Sequence, residues 1–84
     1  MTRSFDEALG RLMAETRIGC GVSQEALATQ LGMDQPTLSK IETAQRRVTL
    51  EDFMRWAAAL NLPLVEATSA VHERTTVRRQ ADPE

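Results

Sequence analysis

Between Asp34 and Glu42 the chain sets amide, hydroxyl and ammonium groups in close succession: Gln35, Thr37, Ser39 and Lys40, with Pro36 among them. A glutamine amide carries one acceptor and one two-proton donor, a pattern that matches the major-groove edge of adenine, while a lysine ammonium suits guanine acceptors or a phosphate oxygen. The Thr and Ser hydroxyls are short enough for close base or phosphate contacts. Pro36 adds a rigid apolar surface of the kind that meets a thymine methyl. Leu38 and Ile41 stand three apart in the same stretch, so a helix there turns both inward and leaves the polar set outside.

Such a face is useful only if the preceding elements hold it out, and residues 23–42 read as two short helices joined by a tight turn. The Ser23 hydroxyl can cap a helix beginning at Gln24. Leu27, Ala28 and Leu31 share one side of that helix, with Gln24, Glu25 and Gln30 outside. Gly32 follows where a helix commonly ends in a left-handed residue. Met33 plugs the angle, Asp34 supplies a second N-cap, and Pro36 fits a first turn whose amides have no intrahelical acceptor. Two helices meeting at a steep angle are predicted, with small Ala28 allowing the backbones to cross closely.

Through S-Q-E-A-L-A, L-G-M-D and L-S-K-I-E, as they stand in residues 23–42, the chain resembles the phage-repressor helix-turn-helix family. This is the Cro-like, xenobiotic-response-element type found among bacterial, phage and plasmid regulators. The resemblance spans roughly residues 5–64. It implies that the second motif helix enters the major groove with its N-terminal end at base edges. On that pose Gln35, Pro36 and Lys40 read bases, while Gln24, Thr37, Ser39, Thr43, Arg46 and Arg47 meet the DNA backbone. Arg17 and Glu42 match positions that form a partly buried ion pair in members of the family. Ala44 departs from the pattern, standing where many relatives have glycine.

Composition sets the outer bounds. A chain of 84 residues makes one domain and leaves no room for a second, catalytic one. The expected fold class is all-α: a bundle of four to five helices around a central helix-turn-helix. The net charge of −2 argues against a non-specific nucleic-acid binder. Residues 35–47, however, hold Lys40, Arg46 and Arg47 against Glu42 alone, a local net of +2, with acidic segments on either side. One cysteine, Cys20, excludes an internal disulfide. No apolar run approaches the ~20 residues needed to span a bilayer, and the first residues lack the apolar stretch of a secretory signal. A cytoplasmic protein with no membrane association is expected.

Flanking elements follow from periodicity. Ser4 and Glu7 have capping-box spacing, which predicts a first helix from near Phe5 to about Ile18 with Phe5, Leu9, Leu12 and Met13 as its apolar stripe. Thr49 caps a fourth helix whose inward side is read as Leu50, Phe53, Met54, Ala57 and Leu60; Trp56 falls at its edge, as core or as partner surface. Residues 62–68 form a short strand, or else residues 64–71 form a loose fifth helix. The strand is favoured by β-branched Val65 and Thr68, by Pro63 at its start and by alternation of Leu62 and Leu64. A lone strand needs a partner, and the same segment of a second subunit supplies one, so Trp56, Leu62, Leu64 and Val65 are the expected dimerisation residues. The domain boundaries are 1–68 for the DNA-binding unit and 69–84 for a C-terminal extension that dimerises or frays.

Enzyme and metal readings fail for want of a constellation. His72 is the only histidine, and Cys20, expected to be packed, has no positioned base nearby in sequence. No Cys/His spacing supplies four zinc ligands, so no metal and no cofactor are expected. The sequence therefore points to a homodimeric, sequence-specific repressor on a two-fold symmetric double-stranded DNA operator. The alternatives are an antitoxin that also binds a toxin protein, and an adaptor that keeps the fold without touching DNA.

Overall fold

Five helices account for the computed structural model, which describes residues 2–80: α1 (Thr2–Gly19), α2 (Gln24–Leu31), α3 (Gln35–Glu42), α4 (Leu50–Ala59) and α5 (Leu64–Gln80). Three begin on caps visible in the sequence. Ser23 accepts from the Ala26 amide at 3.0 Å, Asp34 from Thr37 at 2.9 Å and Thr49 from Asp52 at 3.0 Å. The first four helices end in one way. A residue with positive φ turns the chain back (Gly21, Gly32, Ala44 and Asn61), and the next amide bonds a carbonyl five residues earlier. Ala44 does this at φ 65°, where a Cβ costs about 1–2 kcal/mol relative to glycine.

Met13, Leu27, Leu38, Ile41 and Trp56 are the largest fully buried side chains, so α1, α2, α3 and α4 all feed one core. In α4 the buried set is Phe53, Trp56 and Ala57, joined by Leu60 at the C-cap, whereas Leu50 and Met54 are exposed, contrary to the predicted stripe. At about 100° per residue, Trp56 falls on the inward arc beside Phe53 and Leu60, and Met54 lies roughly a quarter turn away. The Phe53 and Trp56 rings stack with centroids 5.3 Å apart. Other local expectations also shift. Helix α1 starts at Thr2 and takes Ser4 inside it, Phe5 is partly exposed, and Cys20 is exposed rather than packed.

Helices α1 and α3 touch backbone to backbone at Gly10. A Cβ built there would lie 2.7 Å from the carbonyl oxygens of both Ile41 and Glu42. Alanine improves helix propensity by up to about 1 kcal/mol, but forcing a methyl against two backbone oxygens costs about 1–3 kcal/mol. Gly10→Ala should therefore be less stable than wild type despite the better propensity. A thermal melt checks this, since a gain in melting temperature would show that the helices part easily.

The C-terminal segment corrects the strand reading. Residues 64–80 are helical, and no strand occurs among the described residues. Pro63 starts this helix rather than a strand: its carbonyl accepts the Ala67 amide at 2.9 Å, a first helical turn that requires no proline N–H. Ala67, Ala70 and Val71 then fall on one face and pack towards the bundle, Ala67 fully and the other two partly buried. The Thr68 hydroxyl donates to the Leu64 carbonyl at 2.8 Å, so the β-branched residue is accommodated within the helix. Arg74, within the extension expected to dimerise or fray, pairs with Glu15 of α1 at 2.9 Å. The expected boundary after residue 68 falls inside α5, and residues 81–84 lie outside the described residues.

Candidate nucleic-acid interface

Helix α3 is anchored by Leu38 and Ile41, which are 0% and 2% exposed, and the corner at Gly32 turns its remaining faces outward. Pro36 and Lys40 are exposed, while Gln35, Thr37 and Ser39 are half-buried. The expected polar ridge is thus formed. Its first turn is held by the Asp34 cap, whose carboxyl lies below the usual range because the Thr37 side chain and then the Thr37 amide hydrogen-bond its charged form. A depressed folded-state pKa means that the cap's contribution is fully present above the ordinary carboxylate value and fades only as pH falls through the lowered one.

Behind the ridge runs a chain of side-chain hydrogen bonds that begins in the core. Arg17, at the end of α1, donates from Nε to Glu42 Oε2 at 2.8 Å and from Nη2 to Glu42 Oε1 at 3.1 Å, and its Nη1 bonds the Val22 carbonyl at 2.8 Å. The expected ion pair is therefore two-pronged and enclosed, with the side chains 11% and 4% exposed. Gln24 Nε2 donates to Glu42 Oε1 at 2.8 Å, and Gln35 Nε2 donates to Gln24 Oε1 at 2.6 Å. Gln24, read from sequence as a phosphate contact, also bridges the buried pair to the outermost glutamine. The spacing of two glutamines eleven apart gives no warning of this, because the bridge exists only once α2 and α3 cross.

The loop after α3 carries the other expected backbone contacts. Thr43 Oγ1 donates to the Ser39 carbonyl at 2.9 Å and accepts from Gln45 Nε2 at 3.0 Å, so its hydroxyl proton is already directed inward. Arg46 is exposed. Arg47 reaches Asp6 at 3.5 Å with its side chain 74% exposed, a contact worth about 1 kcal/mol or less that a phosphate can displace. Because Arg17 neutralises Glu42 from inside, the cations presented outward by α3 and the loop after it are Lys40, Arg46 and Arg47, the last beside Asp6.

The dimerisation set divides. Trp56 is inside the core and Leu62 is half-buried, whereas Leu64 and Val65 are exposed at the start of α5. His72 is exposed on the same helix. Among the described residues there is no group of three side chains able to hold a metal ion, and no helix is long and apolar enough to cross a membrane.

A helix-turn-helix family model matches residues 13–66, which takes in the whole of α2, the turn and α3. The chain belongs to the Cro-like helix-turn-helix family of DNA-binding transcription regulators. Among solved structures it is similar to the restriction-modification controller protein C.AhdI from Aeromonas hydrophila, at 33% identity and TM-score 0.68 over 73% of this chain and 92% of that one. It also shares its fold with the clp gene regulator ClgR from Corynebacterium glutamicum. One ClgR structure matches at 24% identity and TM-score 0.74, covering 81% of this chain and 88% of that one. No curated protein matches the chain. The family is one of regulators rather than enzymes, in keeping with the absence of a catalytic constellation from the sequence.

Proposed function

We propose that this helix-turn-helix protein is a homodimeric repressor that occupies a two-fold symmetric operator and excludes polymerase from the promoter. The observation that carries the reading is Gln35: it stands at the outer N-terminal end of α3 and is braced from behind by Gln24, while Leu38 and Ile41 pin the helix to the core. Gln35, with Pro36 and Lys40, reads base edges. Arg46 and Arg47 neutralise phosphates, and Thr37, Ser39 and the N-terminal end of α2 at Gln24 set the register. Exposed Leu64 and Val65 supply the apolar seam for a second copy, which would place two α3 helices about 34 Å apart on successive major grooves.

The test is a salt titration on the DNA upstream of the protein's own coding sequence. Gln35→Ala should relax base preference and leave the slope of log affinity against log salt unchanged, because a neutral side chain releases no counterions. Arg46→Ala combined with Arg47→Ala should do the reverse, lowering the slope by about 0.9 for each phosphate no longer neutralised. If neither variant changes binding, the assigned face is not the one that meets DNA.

A further inference from the structure

We propose that Glu42, though buried and out of reach of DNA, selects adenine over guanine by fixing the direction of two amide groups in series. The inference rests on Gln35 being a base-reading residue. An ionised carboxylate only accepts hydrogen bonds, so the Gln24 group 2.8 Å from Glu42 Oε1 has to be its NH2 end. With that amide reversed, two acceptor oxygens would face each other at hydrogen-bond distance. Once Gln24 is set, its Oε1 points to Gln35 and can only accept, so Gln35 turns its own NH2 inward, at 2.6 Å. Arg17 completes the arrangement by holding the Glu42 carboxylate at both oxygens.

The consequence lies at the outer end. One Gln35 amide proton is taken by Gln24, which leaves Oε1 and one N–H for a base. One acceptor beside one donor matches adenine, which presents the N6 donor and the N7 acceptor in the major groove. Guanine presents two acceptors there, O6 and N7, and would leave Gln35 Oε1 facing a like group. Reversed amides would give the opposite result: a donor from position 24 would hold Gln35 Oε1 inward and free both of its protons for guanine. The buried acid therefore acts as a positioning residue for specificity, through Gln24.

Base preference within the half-site, measured by binding to a set of operators varied one position at a time, tests this. Wild type should favour adenine over guanine by about tenfold at the position where Gln35→Ala abolishes the preference. Gln24→Met, which can neither donate nor accept, should bring that ratio close to one. Gln24→Lys can donate to both Glu42 and Gln35 Oε1, and should invert the ratio in favour of guanine. Glu42→Gln, where melting shows it to be folded, should also bring the ratio towards one, because its amide can face Gln24 with either end. Should Glu42→Gln fail to fold, the two Gln24 variants decide. Wild-type ratios in both Gln24 variants, at a position that Gln35→Ala does change, would overturn the relay alone. If Gln35→Ala changes no ratio at any position, the base-reading role of Gln35 falls and the relay with it.

Discussion

Glu42→Ala should lower the unfolding free energy by about 3–5 kcal/mol, enough to move the melting temperature by more than ~10 °C in a domain of this size. The cause is what remains behind rather than what is removed. Arg17 would keep a guanidinium in a site where its side chain is 11% exposed, with only the Val22 carbonyl of its former partners still accepting. Gln24 would lose the group that receives its amide protons. The surface pair Arg55 and Glu51 gives the contrast: both side chains are more than half exposed, and Glu51→Ala should cost about 0.5 kcal/mol or less. Replacing both members of the buried pair, as Arg17→Met with Glu42→Leu, should recover much of the stability, because no charge is then stranded. Thermal melts of the three variants beside wild type measure all of this. A Glu42→Ala shift no larger than that of Glu51→Ala would mean that water reaches the pair.

The second large effect separates the two faces of α3. Leu38 is 0% exposed, and Leu38→Ala removes apolar atoms and opens a cavity among α1, α2, α3 and α4, at a cost of about 2–5 kcal/mol. DNA binding by that variant should fall with the folded fraction and recover where a lower temperature restores the fold. Lys40, two residues on and exposed, should behave in the opposite way. Lys40→Ala should keep its stability within about 0.5 kcal/mol and lose affinity for DNA at every temperature. A salt slope reduced by about 0.9 would assign Lys40 to a phosphate, whereas an unchanged slope with one relaxed base position would assign it to guanine. Equal loss of stability in both variants would mean that α3 does not present the faces described.

Local chemistry is readable wherever its cause lies within a few residues. The caps at Ser23, Asp34 and Thr49 and the turn at Gly32 are short-range events, set by side-chain oxygens and by tolerance of positive φ. The inward pair Leu38 and Ile41 follows from helical spacing alone. Residues 64–68 form a helix where a strand is expected because β-branched composition is a weak guide against tertiary packing. Ala67, Ala70 and Val71 gain more by lying against the bundle than Val65 and Thr68 lose by entering a helix. In α4 the apolar residues outnumber the places on the inward arc, and only the position of the neighbouring helices decides that Trp56 goes in while Leu50 and Met54 stay out.

By itself, then, the sequence determined the helix-turn-helix, the family that carries it and the polar ridge that starts at Gln35. Each of these depends on spacing within one or two turns of chain. The tertiary structure alone decided how that ridge is braced: Gly10 letting α1 lie against the end of α3, and Arg17, Glu42, Gln24 and Gln35 joined in one line of hydrogen bonds. Those four side chains come from three helices, and the direction of an amide group is set by the partner it meets in space. No periodicity in the chain encodes that direction.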